Sequence, residues 1–481
     1  MCKHIVFGKK VSMKNVSGKI KWIFAVGQMG WSILAGIIAN LLVNFYLPDS
    51  TENGIITFVT SATFIGLTVI GLITACGRVV DAVTDPWIAS MSDNCRSKLG
   101  KRIPFMRYSA FPFALLTVLI FCCPVRGESV ANIIWLAVTM ILFYIFMTAY
   151  CTPYNALIPV LGRNQKDRMD ISTYISLTYI VGTGIAFSGK MVWEAVANAT
   201  GWDYYFSARL VLAVLAGIAL ICMLLPAFII KETDYDTTPP VKENAFKSLA
   251  KTFKNKHFRV FVLSDIIYWI GITIFNTGFI YYVENLLALD NYMVLFIFMT
   301  FVTFICYPIV NILSRKFGKK KLLVWGFALF GFAFFVSAFA GKVTFIPNQA
   351  YGFIICVLVG VPLSILGVIP QAIVADIAES DCINTGENRD AMFYAARTFA
   401  FKLGQSIAMI IFTSLAVVGQ YTETNEAGVE ILKNNGTGYH ISLVIALVLC
   451  IIAMAVILFY DEKNVMGTIE KAHKENEGGK K

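Results

Sequence analysis

Charge is scarce in this sequence. Asp, Glu, Lys and Arg together make up 15% of its 481 residues, too few for the mixed polar surface that a soluble chain of this length requires. Histidine is scarcer still. Its four copies, at positions 4, 257, 440 and 473, lie outside the long apolar runs, which excludes a histidine proton relay or a histidine-built metal centre within them. There is no Gly-rich phosphate loop, no His/Cys metal cluster and no nucleophile elbow, so no enzyme activity is expected. The eleven cysteines fall singly or as the pair Cys122/Cys123. They lack the spacing of a metal site or a secreted disulfide framework and read as small apolar side chains.

What fills the chain instead is hydrocarbon. Hydrophobic residues make up 57% and mean hydropathy is +0.69. Stretches long enough to cross a bilayer as helices, about 20 residues each, recur throughout. They lie near 20–45, 55–91, 104–123, 132–161, 171–192, 207–230, 260–287, 292–313, 322–340, 351–377, 392–418 and 441–460, which predicts an all-α membrane protein with 12 transmembrane helices. Lysine and arginine gather in alternate loops, at 3–21, 96–107, 163–168, 242–259, 315–321 and after 463. By the positive-inside rule these loops and both termini face the cytoplasm. The net charge of +10 is therefore a topology signal, and no nucleic-acid partner is expected. The first apolar run lacks the cleavage site of a signal peptide, so the expected location is the cell membrane, plasma or inner, as a multi-pass protein.

The longest polar interruption, KETDYDTTPPVKENAFKSLAKTFKNKH at 231–257, divides the chain. It gives an N-terminal six-helix bundle at 1–230, a cytoplasmic linker at 231–257, a second six-helix bundle at 258–462 and a cytoplasmic tail at 463–481. In the linker Phe246, Leu249 and Phe253 recur at helical spacing among lysines, which predicts an amphipathic helix over 245–258 lying on the membrane surface. The second and eighth apolar runs end alike, in SDNCRSKLGKR and SRKFGKKK. A short basic, Gly-containing turn at the same place in both halves is the repeat of a two-fold carrier, and it is similar to the turn that marks the major facilitator superfamily.

One apolar run carries charge where none is cheap. In GRVVDAVTDP at 77–86, Arg78, Asp81 and Asp85 are spaced by three and four and so share one helix face. Each costs roughly 2.5 to 3.5 kcal/mol at the bilayer centre. Read as a site, Asp81 and Asp85 aim carboxylate oxygens at a monovalent cation, which wants oxygen ligands, with the Thr84 hydroxyl beside them. Arg78 then offsets a negative charge when the cation is absent. The alternative is an Arg–Asp clasp between helices or an inner gate, since Asp85 precedes Pro86.

From here the chain resembles the glycoside–pentoside–hexuronide:cation symporters, the melibiose-carrier family. The matching segments are GRVVDAVTDP, the turn at 94–101, TPYNALIP at 152–159, DRMDISTY at 167–174, the YWIG…NTGFIYYV region at 268–283, VADI at 374–377 and NRDAMFYAARTFAFKLGQ at 388–405. The resemblance implies the major facilitator fold of two six-helix bundles. It implies secondary active symport of a sugar or glycoside with Na⁺ or H⁺ by alternating access. It places the cation on Asp81, Asp85 and Thr148, and sets Lys402 beside both the cation and the sugar. No cofactor is expected beyond a coupling cation, Na⁺, Li⁺ or H⁺; the partners are the sugar, the cation and the lipid bilayer.

The substrate pocket departs from the melibiose pattern. Two aspartate positions become Ser32 and Cys151, a tryptophan becomes Asn155, an arginine becomes Ile175 and a glutamine becomes Arg397. With Arg397 and Lys402 five positions apart, the shift in charge favours an anionic, hexuronide-like sugar; the alternative is that Arg397 pairs with Asp376 or Asp390 at the inner rim. Tyr150, Asn155, Trp269, Asn276, Tyr281 and Gln371 are polar or aromatic residues at membrane depth, suited to sugar hydroxyls and stacking. Interhelical hydrogen bonding is the other use for each. Asp376 either pairs with a basic residue as an inner gate or sits at the interface. A lipid or lysolipid carrier on the same scaffold is the rival function, and a non-transporting sensor is a second.

Overall fold

The computed structural model describes residues 16–48, 55–60, 63–64, 67–93, 95–162, 165–235, 250–343, 345–385, 390–424 and 430–478. It divides into two compact units, residues 3–243 with 420–434, and residues 244–419 with 435–481. The first unit holds α1 (Gly18–Tyr46), α2 (Val69–Asp93), α3 (Ile103–Ile120), α4 (Val130–Leu161), α5 (Gln165–Thr200) and α6 (Tyr204–Ile229). The second holds α7 (Lys256–Tyr281), α8 (Tyr292–Phe317), α9 (Lys319–Ser337), α10 (Asn348–Thr385), α11 (Asp390–Ala416), α12 (Thr437–Ile457) and the terminal α13 (Glu462–Gly478). Short antiparallel strands complete the chain: β1 (Thr63–Phe64) with β2 (Leu67–Thr68), and β3 (Gln420–Thr424) with β4 (Glu430–Asn434).

Eleven of the described helices are long and apolar enough to span a bilayer. Helix α2 has the length, at 25 residues, and falls short only in apolarity because of its charges. Its start corrects the prediction from hydropathy: residues 55–60 are not helical, and the strands β1 and β2 precede Val69. The segment is rich in Thr, Val, Ile and Phe, which are as apolar in a strand as in a helix and favour the strand. Helix α7 ends in a single π turn, Tyr282–Leu286. Of the predicted amphipathic helix over 245–258, residues 245–249 lie outside the described residues; 250–252 are helical, 253 and 254 form a turn, and Asn255 caps α7, so no single helix runs through to 258.

The two units pack their helices in the same pattern. In the first, α1 lies against α5 and α6, α3 against α4 and α6, and α2 against α4; in the second, α7 lies against α11 and α12, α9 against α10 and α12, and α8 against α10. This is the two-fold repeat that the paired basic turns implied. Each turn also ends in the same device. Gly100 (φ +110°) and Gly318 (φ +86°) take a left-handed backbone that costs other residues energy, and each launches the third helix of its unit. The first N–H groups of those helices have no intrahelical partner. A glutamate that follows the sixth helix supplies the acceptor. Glu232 accepts from the N–H groups of Arg102 (2.7 Å) and Ile103 (3.2 Å); Glu462 accepts from those of Lys319 (2.7 Å) and Lys320 (3.2 Å). A Cβ on Gly100 would stand 2.3 Å from the Glu232 carboxylate, so glycine is also what lets the cap approach.

Glu232 is buried, at 1% exposure, and Arg102 Nη1 lies 3.4 Å from it. Removing the carboxylate leaves buried N–H donors unmet, at about 1 to 3 kcal/mol. Glu232→Ala should therefore lower the thermal midpoint of the purified protein by several degrees, while Glu232→Gln, whose amide oxygen still accepts, should lose clearly less. Equal losses in both variants would show that the cap is not what the carboxylate contributes.

Candidate functional site

Helices α2 and α4 run in the same direction and meet in register. The Thr148 hydroxyl donates to Asp81 Oδ1, 67 positions away. One turn along, the Thr152 hydroxyl donates to Asp85 Oδ1 at 2.8 Å, again 67 positions away. One turn back, Gly77 faces Tyr144: a Cβ on the glycine would stand 2.5 Å from Cδ2 and Cε2 of the ring, so the ring edge lies directly on the α2 backbone. Three successive rungs thus hold one stripe of α2 against one stripe of α4, as a spacing of four on both helices allows.

The rungs differ in depth. Asp81 is fully buried, Thr148 and Thr84 are buried, and Asp85 and Thr152 are partly accessible. Thr84 donates to the Asp81 carbonyl oxygen (3.1 Å) and lies 3.4 Å from the Thr148 hydroxyl. Pro86 follows Asp85 inside the helix and has no N–H to give the Ala82 carbonyl. Carboxylate, hydroxyl and carbonyl oxygens therefore converge within one turn and a half. That is the donor set of a hard monovalent cation, or of a carboxylate pair that shares a proton. Thr152 was not singled out from sequence, although its spacing from Thr148 repeats that of Asp85 from Asp81.

Arg78 does not take the place expected of it. Its guanidinium carbon sits 5.1 Å from the centroid of the Tyr144 ring, a cation–π arrangement, and it forms no ion pair with either aspartate.

Arg397 is likewise corrected. It does not pair with Asp376, and the side chain of Asp390 lies outside the described residues: it forks onto Asp265 of α7, Nε to Oδ2 at 2.7 Å and Nη2 to Oδ1 at 3.1 Å, with both residues buried. A guanidinium in a low-dielectric interior must be paired, and Asp265 is the acid that α7 places opposite it. Asp376 is held by Lys319, whose ammonium lies 2.6 and 2.8 Å from its two oxygens.

The remaining candidates separate into packed and accessible residues. Tyr150 is completely buried and donates to the Met223 carbonyl of α6 at 2.9 Å, so its hydroxyl joins helices instead of reaching a pocket. Tyr281 is buried as well. Asn155, Asn276 and Gln371 are exposed, and Lys402 is half-buried. Trp269 is half-buried, edge-on to Phe401 at 4.3 Å between centroids. Its Nε1 and Gln405 Oε1, one turn beyond Phe401, are buried polar atoms without a hydrogen-bond partner.

A family model described as MFS/sugar transport protein matches residues 23–462. The chain belongs to this family. Within it the chain falls among the glycoside–pentoside–hexuronide:cation symporters of the major facilitator superfamily. It is 24% identical over 409 residues to the uncharacterized symporter YnaJ of Bacillus subtilis, covering 84% of this chain and 82% of that one. It is 21% identical over 429 residues to the isoprimeverose transporter of Lactiplantibacillus pentosus, covering 86% of each. The inward-open structure of the xylose transporter XylE from E. coli shares the fold, with a TM-score of 0.63 at 12% identity over 92% of this chain and 96% of that one.

The buried fork of this family member generates a stability prediction. Asp265→Asn strands a guanidinium in the interior, which costs about 3 to 5 kcal/mol, whereas Asp265→Asn with Arg397→Gln removes both charges. The double variant should melt above the single one in detergent. A double variant no more stable than Asp265→Asn would mean that the pair carries little of the packing between α7 and α11.

Proposed function

We propose that the protein is a cation-coupled symporter that moves a sugar or glycoside across the cell membrane by alternating access. Asp81, Asp85, Thr84, Thr148 and Thr152 hold the cation, which is Na⁺, Li⁺ or H⁺. The observation that carries this reading is the set of rungs between α2 and α4: two carboxylates one turn apart, each receiving a threonine hydroxyl, inside a helix pair at membrane depth. Membership of a sugar-transport family and similarity to an isoprimeverose transporter support the sugar. The unmet donor of Trp269 and the unmet acceptor of Gln405 support it too, because a hydroxyl group can satisfy either. We read both termini as cytoplasmic, from the placement of Lys and Arg, and the protein as a carrier with no catalytic activity or cofactor.

The fork on Arg397 bears on the substrate's charge. A guanidinium that already spends two donors on a buried carboxylate has little to offer a uronate, so we place a neutral sugar or glycoside ahead of a hexuronide.

Asp81→Asn or Asp85→Asn should abolish uphill, ion-driven uptake in proteoliposomes and leave part of the downhill exchange, because one carboxylate fewer weakens a cation site without removing the substrate's contacts. A neutral amide is also cheaper in the membrane, so insertion should survive. If both variants still concentrate substrate as the unmodified protein does, the cation is bound elsewhere.

A further inference from the structure

A base of the third helix caps the sixth in both units. Arg107 of α3 donates from Nη2 to the Ala227 carbonyl at 2.9 Å, one of the groups that the end of α6 leaves without an intrahelical partner. Lys320 of α9 donates from Nζ to the Leu458 carbonyl at 2.7 Å, at the end of α12. Each cation also meets the negative end of a helix dipole. Beside each cap an aromatic ring is turned outward: Phe228 is 59% exposed and Phe459 80%. On the third helices Tyr108 (74%) and Trp325 (45%) are exposed at matching positions, five residues after Ile103 and Lys320. Exposed aromatics at one depth in both units mark a bilayer interface.

Capping does not use up Arg107. A guanidinium has five N–H donors; one goes to Ala227, and Nε is buried with no hydrogen-bond partner. No carboxylate among the described residues pairs with it. Its charged carbon lies 4.1 Å from the centroid of the Phe228 ring, so the charge stands at the edge of an outward-facing surface. Lys101, Arg102 and Lys231 bring more positive charge to the same end of α3 and α6, while Glu232 is buried. From that end two apolar stripes run into the membrane: Tyr108, Phe111 and Leu115 on α3, and Phe228, Leu225 and Ile221 on α6, all exposed and spaced by three and four. A ligand with an anionic head and long hydrocarbon chains matches this surface at both ends. A zwitterionic head would bring its own cation against the basic cluster.

We propose that the α3–α6 seam, at the end marked by Arg107, binds an anionic phospholipid, with the guanidinium on the headgroup phosphate and the two stripes against the acyl chains. The α9–α12 seam repeats the site around Lys320, a point charge where Arg107 is a fork, and binds more weakly. The inference goes beyond the transport reading and does not depend on it.

Native mass spectrometry of the purified protein tests this, with phosphatidylglycerol and phosphatidylcholine of matched chains titrated separately. The thermal midpoint is followed with each lipid and with inorganic phosphate. The unmodified protein should bind phosphatidylglycerol at two unequal sites, both tighter than any for phosphatidylcholine. Arg107→Gln keeps an amide N–H for the Ala227 carbonyl and loses the charge. It should weaken the tighter phosphatidylglycerol site by about fivefold or more, the effect of one base at an anionic membrane surface, and leave phosphatidylcholine binding and the midpoint in that lipid unchanged. Lys320→Gln should weaken only the second site, by about fivefold. Should Arg107→Gln fail to fold, Arg107→Lys decides: it keeps cap and charge but loses the fork, and phosphatidylglycerol should weaken by about threefold. Unchanged phosphatidylglycerol affinity in the folded Arg107 variant overturns the proposal. So does an equal loss for both lipids, which would leave Arg107 a structural cap, and so does a midpoint raised as much by inorganic phosphate as by phosphatidylglycerol, which would make this a site for a free anion.

Discussion

The structure depends on one constraint: a carboxylate buried in a membrane helix must be met by polar atoms of a neighbour, because neither lipid nor the helix's own backbone can meet it. Asp81 and Asp85 are met by Thr148 and Thr152. Since both hydrogen bonds span the same 67 positions, satisfying one sets the register that satisfies the other. The packing of α2 on α4 is thereby specified to the residue. Apolar contacts alone would not do this, as lipid tails are as apolar as leucine and a slide of one turn would cost little. The third rung, Gly77 on Tyr144, closes the helices to backbone contact where no charge is present to hold them.

The rest of each unit keeps such helices at fixed depth. The glutamate caps tie the start of the third helix to the segment after the sixth in both units, 130 residues away in the first and 143 in the second. In the first unit Lys21 of α1 holds Asp167 at 2.5 Å and Asp170 at 2.7 Å on α5. Among the described residues charge gathers toward helix ends, and the exceptions include the α2 stripe, the Asp265–Arg397 fork and Lys402. Those exceptions belong to the interior and are where function is to be sought.

Much of this was legible in the sequence, and the failures have physical causes. The repeat showed in two basic turns because glycine at a left-handed position and lysine at a membrane edge are both required there. Asp81 and Asp85 were legible because charge in an apolar run is rare; Thr148 carries no such signal and came from the family resemblance. The start of α2 was misplaced because hydropathy cannot separate a β-branched strand from a helix. Arg397 was left between a substrate and the inner-rim acids Asp376 and Asp390, and Asp265 was not considered, because its partner is set by distance in space and the sequence offers only distance along the chain. Glu232 and Glu462 were invisible as caps for the same reason. Thr152 could have been found, since its spacing is visible; Tyr144 could not, because a tyrosine in a membrane helix gives no sign of which way its ring is turned.

The rungs also set an energy scale for coupling. Side chains one helical turn apart are separated by about 5 to 6 Å, and two full negative charges at that distance repel by about 3 kcal/mol at an effective dielectric of 20. A cation or proton that relieves this repulsion supplies a free energy comparable to the 1 to 3 kcal/mol, roughly, by which one ligand typically alters the affinity of another. The repulsion acts along α2, whose next turn carries Arg78, so the same event that neutralises the aspartates also removes the competing attraction on the guanidinium. Any substrate whose binding responds to the charge on this stretch of α2 is thereby coupled to the cation, and by reciprocity it favours the cation to the same extent. Coupling of this kind requires that α4 hold the stretch in register whether or not the cation is present.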